Sequence, residues 1–242
     1  KAGRLARYLG GRPTRNLLIS DVPGDDPAII GSGPLIAADP APSPGAPDRV
    51  QRILDRVRAP SPPRPGDPCL ATIRTAVIAG PADAAEAAAA ALRARGQPVQ
   101  VHRERLTGDV QEAARRIAAT LISGAAGAHV WSGETTVTLP DDPGRGGRNQ
   151  SLCLAVAQLI AGAVPIAFTS IGTDGNDGAT DDAGAVVDQS TIAHGREQGL
   201  DAGDFLRRAD AAVYLEAVGA LVHTGTTGTN VSDLMIGWRT PA

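Results

Sequence analysis

The chain has 242 residues, a formal net charge of −3 and 42% hydrophobic residues. That length suits one large domain or two small ones, with enough apolar content for a core, and the mild acidity gives no basis for nucleic-acid or membrane-surface binding. No apolar run is long enough to cross a bilayer, and Cys69 and Cys153 match no metal or redox spacing and suit a reducing cytoplasm.

Asn16–Asp21 reads as a short buried strand that stops at an acid, and Val22-Pro-Gly-Asp-Asp-Pro27 forces a turn. Residues 31–47, rich in Gly and Pro, read as an irregular loop. Asp48–Arg58 has helical spacing at Val50, Ile53, Leu54 and Val57. The proline-dense stretch 59–68 is neither helix nor strand and marks a linker. Strands are expected at Thr75–Ala79 and Val99–Val101, with an alanine helix at Asp83–Arg95 stopped by Gly96. Asp109–Ile122 is an amphipathic helix with Asp109 as N-cap. Ala128–Trp131 and Thr135–Leu139 read as two strands joined by Ser132-Gly-Glu134. A helix at Asn149–Ile160, a strand at 164–170 and short helices near 191–196 and 202–218 complete the pattern. Strands alternating with helices imply an α/β fold: a three-layer, mostly parallel or mixed sheet covered on both faces.

The densest chemistry lies in Ser170–Gly184, where Asp174, Asp177, Asp181 and Asp182 crowd a Gly-rich loop after an apolar strand. Carboxylates at the carboxyl end of a strand stand where open α/β sheets bind ligands. Asp174 and Asp177 are candidate metal ligands; the bland alternative is a solvated turn that caps helices. Gly144-Arg-Gly-Gly-Arg-Asn-Gln150 opens a helix, where free N–H groups and the dipole favour an anion. Arg145 and Arg148 add positive charge there, although for a Gly/Arg loop taken alone a mobile loop with solvated arginines is the favoured reading. Lys1 is the only lysine, so a phosphate clamp within the chain would use Arg, backbone N–H groups or a metal. Neither a Walker A loop nor a dinucleotide fingerprint is present. Thr224–Asp233 offers hydroxyls and glycines that suit a polar-substrate cradle or a plain turn. Asp21 ends a strand, and Glu134 could hold a ligand or sit in a hairpin. The four histidines show no ligand spacing and read as structural or exposed.

Taken in order, Ile19-Ser-Asp-Val-Pro-Gly-Asp-Asp-Pro27, Gly31-Ser-Gly-Pro34, Ser132-Gly-Glu-Thr-Thr-Val137, Gly144–Gln150, Gly172-Thr-Asp-Gly-Asn-Asp-Gly178, Thr180–Ala185 and Thr224–Leu234 resemble the type II glycerate kinases. These are the glycerate 2-kinases whose C-terminal section is called the MOFRL domain; some members carry the older label of hydroxypyruvate reductase. The resemblance implies ATP-dependent phosphorylation of D-glycerate at its 2-hydroxyl, with Mg²⁺ as cofactor. It implies Asp174, Arg148 and Asp21 as catalytic residues: Arg148 toward phosphate, Asp174 as base or metal ligand, and Asp21 as a second active-site carboxylate. Arg145, Gly147, Asn149, Glu134, Thr173, Thr226 and Asn230 are the candidate substrate- or nucleotide-binding residues in the same motifs. The family's Gly-rich segment with an active-site lysine has no counterpart here, and Lys1 falls in a later segment. Ser132 and the stretch Ala209–Tyr214 also depart from the usual pattern. Residues 1–58 are therefore expected to be the end of a Rossmann-like domain, 59–68 a linker and 69–242 the MOFRL-like domain. An incomplete first sheet would favour homodimerisation or pairing with a separate N-terminal half. The alternatives to the kinase are a hydroxypyruvate reductase and a non-catalytic remnant.

Overall fold

The computed structural model describes residues 2–37, 47–54, 56 and 60–241. Lys1, most of the expected loop at 31–47, the end of the expected helix at Asp48–Arg58 and Ala59 lie outside the described residues. The chain divides into two compact units, Lys1–Ala79 and Gly80–Ala242.

In the first unit, α1 (Arg4–Leu9) is followed by β1 (Thr14–Ile19), α2 (Asp48–Leu54) and β2 (Ile73–Ala79). The free N–H groups at the start of α1 are satisfied by a neighbouring loop: Gly3 and Leu5 donate to the carbonyls of Gly33 and Pro34, at 2.8 and 3.1 Å. β1 and β2 pair in parallel from Thr14↔Ile73 onward. This pairing carries the first unit on to Ala79, beyond the expected boundary at 59–68. Nor do the described residues of that proline-rich stretch hang free. Arg7 donates from Nε to the Ser61 carbonyl at 2.6 Å and from Nη2 to Asp67 at 3.0 Å. The two-stranded sheet leaves Leu17, Ile19 and Ile78 exposed, in a parallel arrangement that larger sheets cover on both faces.

The second unit opens with α3 (Pro81–Ala94), β3 (Val99–Val101) and β4 (Leu106–Asp109). Then come α4 (Val110–Ser123), β5 (Gly127–Thr136), α5 (Arg148–Ile160), β6 (Ile166–Gly172) and β7 (Gly184–Asp188). Three short helices, α6 (Thr191–Glu197), α7 (Ala202–Arg207) and α8 (Ala211–Ala217), precede β8 (Leu221–Val222) and β9 (Asp233–Arg239). The strands form one mixed sheet in the order β3-β5-β9-β6-β7-β8, with β4 also paired to β5. β3 and β4 run parallel to β5; the pairings of β9 with β5 and β6, and of β7 with β6 and β8, are antiparallel.

One expectation is corrected here. β5 is one continuous strand, so Ser132-Gly-Glu134 is not a connection between two strands. Its first seven residues are all buried, which removes the polar/apolar alternation that would have marked it as strand. The sheet is mixed, as expected: β9 returns from the C-terminal end to lie antiparallel between β5 and β6. β9 alternates as a doubly covered strand should: Met235 enters the core beneath α4 and α5, while Leu234 and Ile236 pack toward α3. Three layers result, as expected, with α4 and α5 supplying most of the buried side chains on one face. α4 starts where its sequence says, with Asp109 Oδ1 accepting the Gln111 N–H at 2.8 Å.

No helix among the described residues is long and apolar enough to cross a membrane. Cys153, in α5, is fully buried, and burial pushes its thiol pKa far up; Cys69 is only half-buried. Ellman's reagent should therefore titrate one thiol per native chain and two in guanidinium. Two fast-reacting thiols in native protein would contradict this packing.

Candidate active site

The site forms where β5, β6 and β9 end beside the start of α5. β9 begins at Asp233, which pairs with Gly133 of β5 on one side and with Gly172 of β6 on the other. The first helical residue of α5 is Arg148. Its Nε and Nη2 donate to the two oxygens of Asp233 at 2.6 and 3.0 Å, and its Nη1 donates to Glu134 at 2.6 Å. Asp233 is 1% exposed, whereas Arg148 and Glu134 reach solvent. The fork of the guanidinium matches this two-sided grip, which a lysine could not reproduce. Burial opposes the arginine's charge, but the hydrogen bond and charge of Asp233, helped by Glu134 and Asp177, outweigh it and raise its pKa.

Asp177 occupies the helix start itself. Its Oδ1 accepts the Asn149 N–H at 3.0 Å and its Oδ2 accepts the Gln150 N–H at 2.8 Å. The N–H groups expected to await an external anion are thus already bound by an internal one. This corrects two expectations together. The helix start is not an open phosphate cradle, and Asp177, 2% exposed with both oxygens engaged, is not turned toward a metal. Burial raises its pKa to about 6, against the hydrogen bonds from Gln150 and Asn149, with the charge of Asp233 adding to the rise.

Asn149 is likewise structural rather than open to a ligand. It is 1% exposed. Its Nδ2 donates to Asp177 at 3.3 Å and its Oδ1 accepts from Ser170 Oγ at 2.5 Å. Gly147 is required by space: a Cβ there would lie 2.3 Å from the Asp177 carboxyl carbon. Arg145 turns aside, with its N–H donating to Asp210 at 2.8 Å and its guanidinium paired with Glu216 of α8.

Asp174 lies two residues beyond Gly172, the partner of Asp233 in the sheet, so it shares the sheet end with the Arg148 cluster. Its Oδ1 accepts the Asn176 N–H at 3.0 Å; its other oxygen takes no hydrogen bond among the described residues. The Thr224–Asp233 segment folds over this loop. Thr227 donates its N–H to the Asp174 carbonyl at 3.1 Å, and Thr173 Oγ1 donates to the Ser232 carbonyl at 2.6 Å. Thr173 therefore anchors the segment. Thr226 is exposed, and Asn230 accepts the Ser232 N–H at 3.0 Å. Asp21 belongs to the other compact unit, two residues after β1.

Asp233 is the residue that sequence reading missed. It was visible only as the acid that closes a polar run, just ahead of the alternating Leu234-Met-Ile-Gly-Trp238. Of the histidines, His102 and His129 pack as structural groups, while His194 and His223 are exposed. Buried His129 sets its Nε2 2.9 Å from the Ala125 carbonyl, which leaves Nδ1 to accept from His102 at 3.1 Å. Among the described residues, no group of three or more His, Cys, Asp or Glu is placed to hold a metal ion by itself.

This is an α/β unit of known type: residues 127–233 match the MOFRL family, and residues 1–64 match the domain of unknown function DUF4147. Along nearly its whole length the chain is similar to glycerate kinases. It is 31% identical to a glycerate 2-kinase of Pyrococcus horikoshii, over 98% of this chain and 58% of that protein. It is also 35% identical to an Agrobacterium vitis protein provisionally named a hydroxypyruvate reductase, over 97% of this chain and 64% of that one. The crystal structure of a glycerate kinase from Thermotoga maritima superposes with a TM-score of 0.80 at 29% identity, covering 99% of this chain and 60% of the other. The chain thus spans about three fifths of the length of the relatives it matches.

Proposed function

We propose that the chain carries the phosphoryl-transfer site of a glycerate 2-kinase, which moves the terminal phosphoryl group of ATP to the 2-hydroxyl of D-glycerate. The observation that carries this reading is the grip on Arg148. Two carboxylates hold its guanidinium rigid at the sheet end, half-exposed, beside the Asp174 loop. A preorganised cation at a solvent-accessible sheet end is what a transferring phosphoryl group requires, since such transfer depends on positioning and charge neutralisation more than on covalent chemistry.

The local charge also bears on the cofactor. One guanidinium is shared by the carboxylates of Glu134 and Asp233, and the Asp174 loop adds a further acid at the same sheet end, so a bare polyphosphate would be repelled. Asp174, half-exposed with one oxygen uncommitted, suits Mg²⁺, which binds through one or two carboxylates together with substrate phosphates. Bound there, Mg²⁺ would neutralise charge on the nucleotide. Arg148 then orients the phosphoryl oxygens, while Asp233 and Glu134 keep the guanidinium from swinging into solvent. Asp177 and Asn149 fix the start of α5 beneath it. We place the protein in the cytoplasm, with D-glycerate as its small-molecule partner.

The names of some relatives favour a second reading, hydride transfer to hydroxypyruvate. The helix start that would take a dinucleotide pyrophosphate is filled by Asp177, which argues against it. The test is direct. With Mg²⁺, ATP and D-glycerate, the chain should form ADP and 2-phosphoglycerate, resolved by ³¹P NMR. Oxidation of NADH or NADPH by hydroxypyruvate, with no ADP formed from glycerate, would replace the kinase by the reductase.

A further inference from the structure

Three acids at this sheet end, Glu134, Asp174 and Asp233, come from three separate segments, and one residue binds a neighbour of each. Ser232 directly precedes Asp233, the first residue of β9. Its Oγ donates to the carbonyl of Gly133 at 2.7 Å, and Gly133 precedes Glu134. Its carbonyl accepts both the N–H and the Oγ1 hydroxyl of Thr173, at 3.1 and 2.6 Å, and Thr173 precedes Asp174. The Ser232 N–H donates to Asn230 Oδ1 at 3.0 Å. Each acid thus stands one residue beyond a member of this knot.

The sheet does not hold the three together. The β9 ladder starts at Asp233, opposite Gly133 and Gly172. Past that row β5 runs on beside β4, and β6 ends. Among the described residues, no strand pairing links Glu134 to the Thr173–Asp174 turn; the bonds of Ser232 make that link. Ser232 does so from a strained position. It is buried, and its φ of +72° lies in the left-handed region, which costs free energy for any residue with a Cβ. Glycine would adopt that backbone freely. The side chain kept there despite the cost is the one whose hydroxyl holds the Gly133 carbonyl.

We propose that Ser232 is a positioning residue: it sets the spacing between Glu134 and Asp233, which grip Arg148, and the Asp174 loop. Its part in turnover rests on the kinase reading; its effect on Arg148 does not.

Two variants of the full chain separate positioning from packing. Ser232→Ala removes the hydroxyl and keeps the strain. Ser232→Gly removes both, so it should melt above Ser232→Ala. Both should nevertheless lower glycerate-dependent ATP turnover about a hundredfold, the cost of displacing a reacting group by about 1 Å. With a packing role alone, turnover would recover along with the melting temperature. Independently of turnover, ¹H–¹⁵N spectra report the Arg148 Nε–H, held against Asp233 at 2.6 Å in the parent and identified by its loss in Arg148→Lys. Its exchange with water should be about tenfold faster in both variants. An Arg148 signal unchanged from the parent, or Ser232→Gly turnover equal to the parent's, overturns the assignment. Failure of the kinase reading looks different: the Arg148 signal responds in both variants, while the parent itself forms no ADP from glycerate.

Discussion

Arg148→Ala should lower the melting temperature by about 5–10 °C and reduce glycerate-dependent ATP turnover about a thousandfold. The stability effect comes from Asp233, not from the arginine itself. Asp233 is 1% exposed, and both of its oxygens are satisfied by the one guanidinium. Truncating the arginine leaves a buried carboxylate alone. Breaking a fully buried pair costs about 3–5 kcal/mol. The solvent exposure of Arg148 and the water admitted by truncation reduce that to about 2–3 kcal/mol, which for a chain of this size corresponds to the fall stated. Arg148→Lys keeps the charge but cannot serve Asp233 twice and Glu134 once, so turnover should stay low while much of the stability returns. Asp233→Ala with Arg148→Ala should cost less than the sum of the single changes, because the second removes the charge stranded by the first. Additive losses in that cycle would mean that the pair does not act as a unit. Glu134→Gln should matter far less to stability, since Glu134 is 43% exposed and a solvated ion pair contributes little.

Helical periodicity and caps made α3, α4 and α5 legible, because their signals are local: Asp109 ahead of an amphipathic run, or Gly-Gly before a long apolar segment. The strands were harder where burial is complete. β5 looked like two strands because Ser132-Gly-Glu134 resembles a connection, yet Ser132 and Gly133 are buried against neighbours distant in sequence. β9 shows little in sequence to mark it as central, and its place between β5 and β6 is a decision of the whole sheet. The site shows the same division. Arg148, Asp174 and Glu134 could be nominated from motifs, and the register of β6 and β9 brings the ends that carry them together. The division of labour between the acids could not be read. Asp177 and Asp174 sit three residues apart in one acidic loop. Only the backbone path decides that one turns inward to cap α5 while the other keeps an oxygen uncommitted. Asp233 holds the arginine from 85 residues away, a distance over which no spacing rule applies.

The inward turn of Asp177 leads to the second large effect. Gly147→Ala should destabilise the chain by about 3 kcal/mol, because the added methyl would lie 2.3 Å from the Asp177 carboxyl carbon and force the cap off the helix. Lost capping and overpacking are each worth about 1–2 kcal/mol in ordinary settings. The backbone at Gly147 has φ −136°, open to any residue, so the demand for glycine is one of space alone. The same carboxylate should leave a signature in pH. Its folded pKa is raised to about 6 by burial, so the native state holds this proton more tightly than the unfolded chain does. The resulting stabilisation is present in full below the ordinary carboxylate range and is lost as pH rises through about 6. Asp177→Asn cannot titrate there. Subtracting its urea-unfolding free energy from that of the parent cancels the other groups, and the difference should shift against the parent by about 2 kcal/mol between pH 4.5 and pH 7. A difference that stays flat across that range would mean the helix N–H groups hold the carboxylate ionised throughout, and that the cap, not the burial, sets its charge.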